Sequence, residues 1–408
     1  MAEYFEGTIE KLKKEFSLSP QESLVDIESS NEKLFIGLPK EQLLQERRIA
    51  LTPNSVKSLV DLGHKVVIET SAGEASNFND NDYISAGAQI MQNKEEVYTA
   101  DILLKAAPIS EKELPMMHKH QIVISPLLQP KLTKMKLKSL MDKKITALAF
   151  EFIKSDNNIY PFVRTLSEIA GYLSITTAAK YLSNEFGKGV LLGSIAGHPP
   201  TKVVIIGAGG VGEAAARAAL GLGAAVHVFD DNIYRLTRLQ NALGQRIYTS
   251  VLDPIALKQK VSRAHVVIGA MRAGRDGKTP IVVSEQTVMG MKKNAVIIDV
   301  SIDHGGCFET SKVTNHNDPT YIKHGVIHYC VPNIASNVSR TASYAISNIL
   351  SPILKEAAKY GGVSNYLNYH EGFRHGAYIY KGALTKEHLS KQFDLKYTDL
   401  DLILTANF

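Results

Sequence analysis

Apolar and polar positions along this chain follow two patterns: short β-branched runs, and longer stretches with helical spacing. From Leu34 onward, the runs Leu34–Leu38, Lys65–Glu69, Ile102–Lys105, Ile122–Ser125 and Ile145–Phe150 predict strands. The segments between them, such as Pro53–Leu62 and Pro130–Asp142, predict helices. Further strands are predicted at Val203–Ile206, Ala225–Phe229, Val266–Ile268, Ala295–Asp299 and Val326–Tyr329. Two longer helical patterns bracket this second group. One is Ser167–Glu185, with Ile169, Leu173, Tyr181 and Leu182 as its apolar stripe, and the other is Ala342–Tyr360. Gly187–Pro200 is rich in Gly and Pro and reads as a loop. Strand and helix in alternation argue for parallel α/β sheets. The expected fold is α/β, with two Rossmann-like domains joined by the two long helices and a cleft between them. The expected division is an extension at 1–30 carrying a short polar helix (Tyr4–Phe16), a substrate domain of 31–166 plus 343–408, and a nucleotide domain of 167–342. The chain then crosses between domains twice, and the cleft is where ligands are expected.

Composition narrows the class. The chain has 408 residues, 44% hydrophobic and 21% charged, as suits a soluble globular protein of two or three domains. No apolar run reaches the roughly 18 residues of a membrane span. The N-terminus lacks a basic-then-apolar leader, so no membrane role and a cytoplasmic location are expected. Only two cysteines occur, Cys307 and Cys330, which argues against a disulfide framework. Neither is expected to act as a nucleophile, and no metal site is expected. The formal charge of +5 is small and its basic residues are scattered, so a nucleic-acid partner is not expected. A small-molecule substrate is.

The candidate chemistry starts at Gly207-x-Gly209-x-x-Gly212, which lies between a predicted strand and an Ala-rich helix. The next strand ends on Asp230. In that context the motif is a dinucleotide fingerprint. Gly207 permits the tight turn, Gly209 lets the backbone approach a pyrophosphate, and Gly212 lets helix and strand pack closely. Free N–H groups at the helix start then face the phosphates. Asp230 is expected to accept from ribose hydroxyls and to repel a 2′-phosphate, which favours NAD. Gly277-Lys278-Thr279 ends like a phosphate loop but lacks that motif's first glycine, since Arg272 stands there.

Several segments in order resemble the alanine dehydrogenase family and its relative, the NAD-binding subunit of proton-pumping transhydrogenase. They are Ile36–Glu41, Glu46–Pro53, Leu166–Gly171, the dinucleotide motif, Ile298–Glu309 and Tyr329–Ile334. The pattern Ser301-Ile-Asp-His-Gly-Gly306 is similar to the dehydrogenase rather than the transhydrogenase subunit. The resemblance implies an NAD-dependent amino-acid dehydrogenase, nominally for alanine, assembled as a homo-oligomer, often a hexamer. By that resemblance Arg48 holds the substrate carboxylate, Asp303 and Asn333 stand around nicotinamide and substrate, Ser167 contacts the cofactor, and Glu151 is an acid near the cleft. Two departures stand out. Ala107 replaces the family lysine that touches substrate, and Leu128 or Gln129 stands at the family histidine. A plain alanine dehydrogenase without substitutes should then be very slow, because a positioned acid or base contributes about 10²–10⁴ in rate. Lys105, swinging into the cleft, and His304, beside Asp303, are the candidate replacements. The alternatives are an oxidoreductase of another 2-oxo acid or amino acid, and an inactive NAD-binding regulatory homologue.

Overall fold

The structure, a computed structural model, describes residues 32–274 and 277–405. The extension and its polar helix lie outside the described residues. The first strands in chain order are β1 (Phe35–Leu38), β2 (Lys65–Glu69), β3 (Gln89–Met91), β4 (Ile102–Leu104), β5 (Ile122–Ser125) and β6 (Thr146–Ala149). They are followed by β7 (Lys202–Ile206), β8 (Ala225–Phe229), β9 (Tyr248–Ser250), β10 (Val266–Gly269), β11 (Val296–Asp299), β12 (Thr320–Lys323) and β13 (Val326–Tyr329). The chain closes with β14 (Ala377–Tyr380) and β15 (Ala383–Leu384). Two sheets result. One has eight strands in the order β15-β14-β6-β5-β4-β1-β2-β3, and the other has seven in the order β12-β13-β11-β10-β7-β8-β9.

The architecture is α/β with two parallel-dominated sheets. Both sheets also carry antiparallel edges that the alternating pattern did not announce. β14 pairs antiparallel with β6, and β15 and β12 close hairpins on β14 and β13. The hairpins need only two-residue turns, Lys381-Gly382 and His324-Gly325, and all four residues have positive φ. Such turns match the right-handed strand twist. The C-terminal strands therefore return to the first sheet.

In both sheets the strand order reverses at the middle, beside β1 and β4 in one and β7 and β10 in the other. Loops leaving the carboxyl ends of such strands diverge and leave a crevice. The loops after β1 and β7 supply Arg48 and the dinucleotide glycines, while Asp230, Asp303 and Asn333 follow β8, β11 and β13. Two long helices, Pro161–Leu182 and Ser339–Lys359, flank the second sheet in sequence. The first starts earlier than its pattern suggests. Pro161 occupies its first turn, and Phe162 stacks on Phe150 with centroids 4.7 Å apart. Its buried face is built largely from small residues, Ala170, Gly171, Ser174 and Ala178. A Cβ on Gly171 would lie 2.5 Å from that of Ala214, so glycine lets this helix sit against Gly210–Gly221. Among the described residues no helix is long and apolar enough to cross a membrane.

Candidate active site

The dinucleotide loop is built by sterics. Gly207 has φ +112°, and a Cβ there would lie 2.3 Å from the Ala270 carbonyl. A Cβ on Gly212 would meet the Gly207 carbonyl at 1.9 Å. On Gly209 a Cβ would meet nothing within 4 Å, so this glycine faces open space. Gly209 precedes the helix Gly210–Gly221, whose start carries no side-chain cap. Its first N–H groups are thus left for an anion. Ser167 reaches the same loop, with its Cβ 3.1 Å from where a Cβ on Gly210 would stand. Open space at Gly209, uncapped amides and the Ser167 hydroxyl fit a pyrophosphate. Asp230 is buried at the end of β8 and accepts from Ala208 N at 2.7 Å and Asn232 N at 2.9 Å. It ties the loop to the next strand. A carboxylate has lone pairs left for a ribose hydroxyl.

Across the cleft, the loop after β1 supplies Glu46 and Arg48. Both are nearly buried and pair side-on, Nε to Oε1 at 2.7 Å and Nη2 to Oε2 at 2.6 Å. The second wall joins them. Asn333 donates from Nδ2 to Glu46 Oε2, and Ser336 donates from Oγ to Glu46 Oε1, each at 2.7 Å. The backbone N–H of Asn333 donates to Asp303 Oδ1 at 2.9 Å. Asn333 itself has left-handed φ, 57°, which aims its amide and side chain at partners on the two walls. Burial works to raise the Glu46 carboxyl, but the Arg48 charge and its hydrogen bonds outweigh this and hold it below its ordinary value. Burial raises the Asp303 carboxyl against the Asn333 amide and the charges of His304 and Arg48. Asp303 therefore stands near Arg48 with elevated proton affinity. A cavity of about 130 Å³ opens beside Arg48, between Lys40, Glu41, Arg47 and Glu74.

Sequence reasoning thus named Arg48, Asp303 and Asn333, and the structure brings them together. It missed Glu46, whose only signal is an acid two residues before an arginine in a loop. Glu46 also changes Arg48. The side-on face that would clasp a carboxylate is taken, and among the described residues Nη1 has no hydrogen-bond partner.

Lys105 does not swing into the cleft. It is buried beneath it, with Nζ 2.6 Å from Glu41 Oε2 and 2.9 Å from Glu113 Oε1. Glu41 Oε1 accepts from Ala106 N and Ala107 N, so it clamps the loop that follows β4. Burial works to raise Glu113, yet Lys105 and the Tyr98 hydroxyl hold it at about 2. Pulling Lys105 out would strand two buried carboxylates, which is the physical reason it stays.

His304 follows Asp303, and its Nδ1 lies 3.1 Å from the Gly277 carbonyl. Glu151 Oε1 accepts from Leu127 N at 2.9 Å and Leu128 N at 3.1 Å, while its Oε2 is buried without a partner. Cys307 and Cys330 are buried free thiols, and burial raises both.

A doubly wound domain with a dinucleotide loop, facing a second doubly wound domain across a charged cleft, is the architecture of a two-domain dinucleotide-binding protein. Models of the family described as alanine dehydrogenase/PNT match residues 37–170 (N-terminal domain) and 174–387 (C-terminal domain). The chain belongs to this family, whose alanine dehydrogenases depend on NAD. It is 37% identical over 377 residues to alanine dehydrogenase 2 of Staphylococcus aureus (strain USA300), covering 90% of this chain and 98% of that one. It is 38% identical to an alanine dehydrogenase of Methanococcus maripaludis, covering 91% and 100%. A solved L-alanine dehydrogenase superposes with a TM-score of 0.80 at 35% identity, covering 88% of this chain and 99% of that one.

Proposed function

We propose that this protein is an NAD-dependent amino-acid dehydrogenase, nominally interconverting L-alanine, NAD⁺ and water with pyruvate, ammonium and NADH. The observation that carries the reading is the buried pair Arg48 and Glu46 tied to the half-buried Asn333 and Asp303, which joins both walls of the cleft near an intact dinucleotide loop. Gly207, Gly209, Gly212, Ser167 and Asp230 hold the dinucleotide, which when bound supplies the hydride acceptor or donor. Arg48 offers its free Nη1 edge to the substrate carboxylate. Asp303, its proton affinity raised by burial, assists the reacting centre. His304 supplies the acid/base group that neither Leu128 nor Gln129 offers, whereas Lys105 acts indirectly by positioning Glu41. The working unit is a homo-oligomer.

A second reading, a different 2-oxo acid or amino acid, is favoured by one feature. Glu46 already occupies the carboxylate-clasping face of Arg48, and Ala107 removes a cation. The test is NADH oxidation with pyruvate and ammonium beside other 2-oxo acids, with binding read from NADH fluorescence, since the chain has no Trp. Turnover with pyruvate is expected, and Leu128→His should raise it about tenfold or more by restoring an imidazole. Tight NADH binding with no turnover on any acid sinks the dehydrogenase reading and leaves a regulatory homologue.

A further inference from the structure

Glu151 is an acid that the dehydrogenase reading leaves idle, and its surroundings are unusual. Its Oε1 is anchored by two backbone amides, Leu127 N and Leu128 N. Its Oε2 is buried and has no hydrogen-bond partner. An unsatisfied buried oxygen is costly, so it calls for a ligand, a water or a function. Leu128 has φ +48°, a left-handed conformation that is strained for leucine. Its N–H donates to Glu151 Oε1 at 3.1 Å.

The other wall brings an imidazole of its own. The Gly277 loop packs on the neighbouring residue, and a Cβ on Gly277 would lie 3.2 Å from the Gln129 side chain. The Gly277 carbonyl in turn holds His304 Nδ1. A carbonyl only accepts, so Nδ1 carries the hydrogen in the neutral ring and Nε2 presents a lone pair. No partner for Nε2 is found among the described residues. His304 is thereby carried toward the segment whose amides hold Glu151. Burial raises the Glu151 carboxyl, the three amides Glu151, Leu128 and Leu127 oppose this, and His304 opposes it as well. The other ionisable groups around the pair are Tyr378 of β14 on the Glu151 side and Asp303, backed by Arg48 and Glu46, on the His304 side.

We propose that Glu151 is a second proton-transfer residue of this site, working across the cleft with His304 to hydrolyse a 2-imino acid. The inference rests on the dehydrogenase reading. As water adds to the iminium carbon, a C–O bond forms and the water proton passes to Glu151 Oε2. Glu151 returns that proton to nitrogen. The C–N bond then breaks with its electron pair on nitrogen, and ammonia leaves. The hydroxyl proton left on the new carbonyl passes to His304 Nε2, and from there it converts ammonia to ammonium. Because the two residues come from opposite walls, the pair exists only in the closed cleft.

The test uses the full chain with NADH fluorescence as the control for folding and cofactor binding. Glu151→Ala is expected to lower kcat by about 10²–10⁴ with KM and NADH affinity little changed. Formate, a carboxylate small enough for the vacated space, should restore part of that rate in Glu151→Ala and none in His304→Gln. The pH profile of kcat should lose one limb in Glu151→Gln. The double variant Glu151→Gln/His304→Gln should be scarcely slower than the worse single variant. Turnover of Glu151→Gln within about threefold of the parent with an unchanged pH profile overturns the proposal alone, as does multiplicative loss in the double variant. No turnover by the parent chain on any amino acid or 2-oxo acid, with NADH still bound, overturns the dehydrogenase reading and the catalytic role with it.

Discussion

Gly209 and Gly212 belong to one motif, yet their substitutions should fail differently. A methyl on Gly212 collides with the Gly207 carbonyl at 1.9 Å, whereas one on Gly209 enters open space. Gly212→Ala should therefore damage the fold, costing about 1–3 kcal/mol or more as strand and helix are pushed apart. Gly209→Ala should leave Tm little changed and weaken NADH binding by about tenfold or more, because on the proposed reading the methyl enters the space the pyrophosphate would take. Thermal melts and fluorescence titration separate the two, and equal melting points would remove the steric argument. Lys105 teaches a related point. From sequence it is a cation near a missing cation. In the structure its two carboxylates make it a buried strut, a role that depends on Glu41 and Glu113 arriving from other loops.

Among the elements, the end of β11 carries the most telling strain. Asp299 accepts from Ser301 N, Cys307 N and Ser311 Oγ, the last at 2.6 Å, and so pins the loop that presents Asp303 and His304. Burial nevertheless pushes its carboxyl up from 3.8 to about 6. A raised folded value means the folded state holds the proton more tightly than the unfolded chain. The stabilisation from protonation is thus fully present below about pH 4 and is lost as pH rises through about 6, a change of about 3 kcal/mol. His265 and His328, depressed to about 4 by burial, slope the opposite way over part of this range. The measurement is accordingly a difference, urea midpoints of Asp299→Asn minus those of the parent between pH 4 and 7. The difference should shift in favour of the variant as pH rises, and a flat difference would refute the burial argument. At this scale the sequence was legible where one rule dominates. Central strands such as β7 and β10 are continuous apolar runs because both faces are covered. The edges β3, β9 and β12 went unread, because they are three or four residues long and partly exposed. Their pairing depends on neighbours rather than on their own pattern. The site divides in the same way. Arg48, Asp303 and the glycines sit in motifs, while Glu46 gains its role only when the second wall closes on it.

For the whole molecule, Glu46 is the residue on which closure turns. It holds Arg48 on its own wall and receives Asn333 and Ser336 from the other. A nearby second tie runs from His316 N to Gln45 Oε1 at 2.7 Å, but it is exposed and competes with water. Removing the Glu46 charge leaves the Arg48 guanidinium buried with a weaker partner. Breaking a buried pair in this way costs about 3–5 kcal/mol in general. Here part of that penalty can be escaped by opening the cleft and wetting Arg48. Glu46→Gln is therefore expected to populate an open form instead of simply unfolding. Amide exchange should accelerate at 45–49 and 333–338, while β7 and β10 keep their protection. NADH should still bind, since its loop lies wholly in the second domain, but kcat should fall steeply because Arg48 and Asp303 no longer meet. Uniform acceleration of exchange, including β7 and β10, would instead mean that Glu46 supports global stability and that closure is set elsewhere.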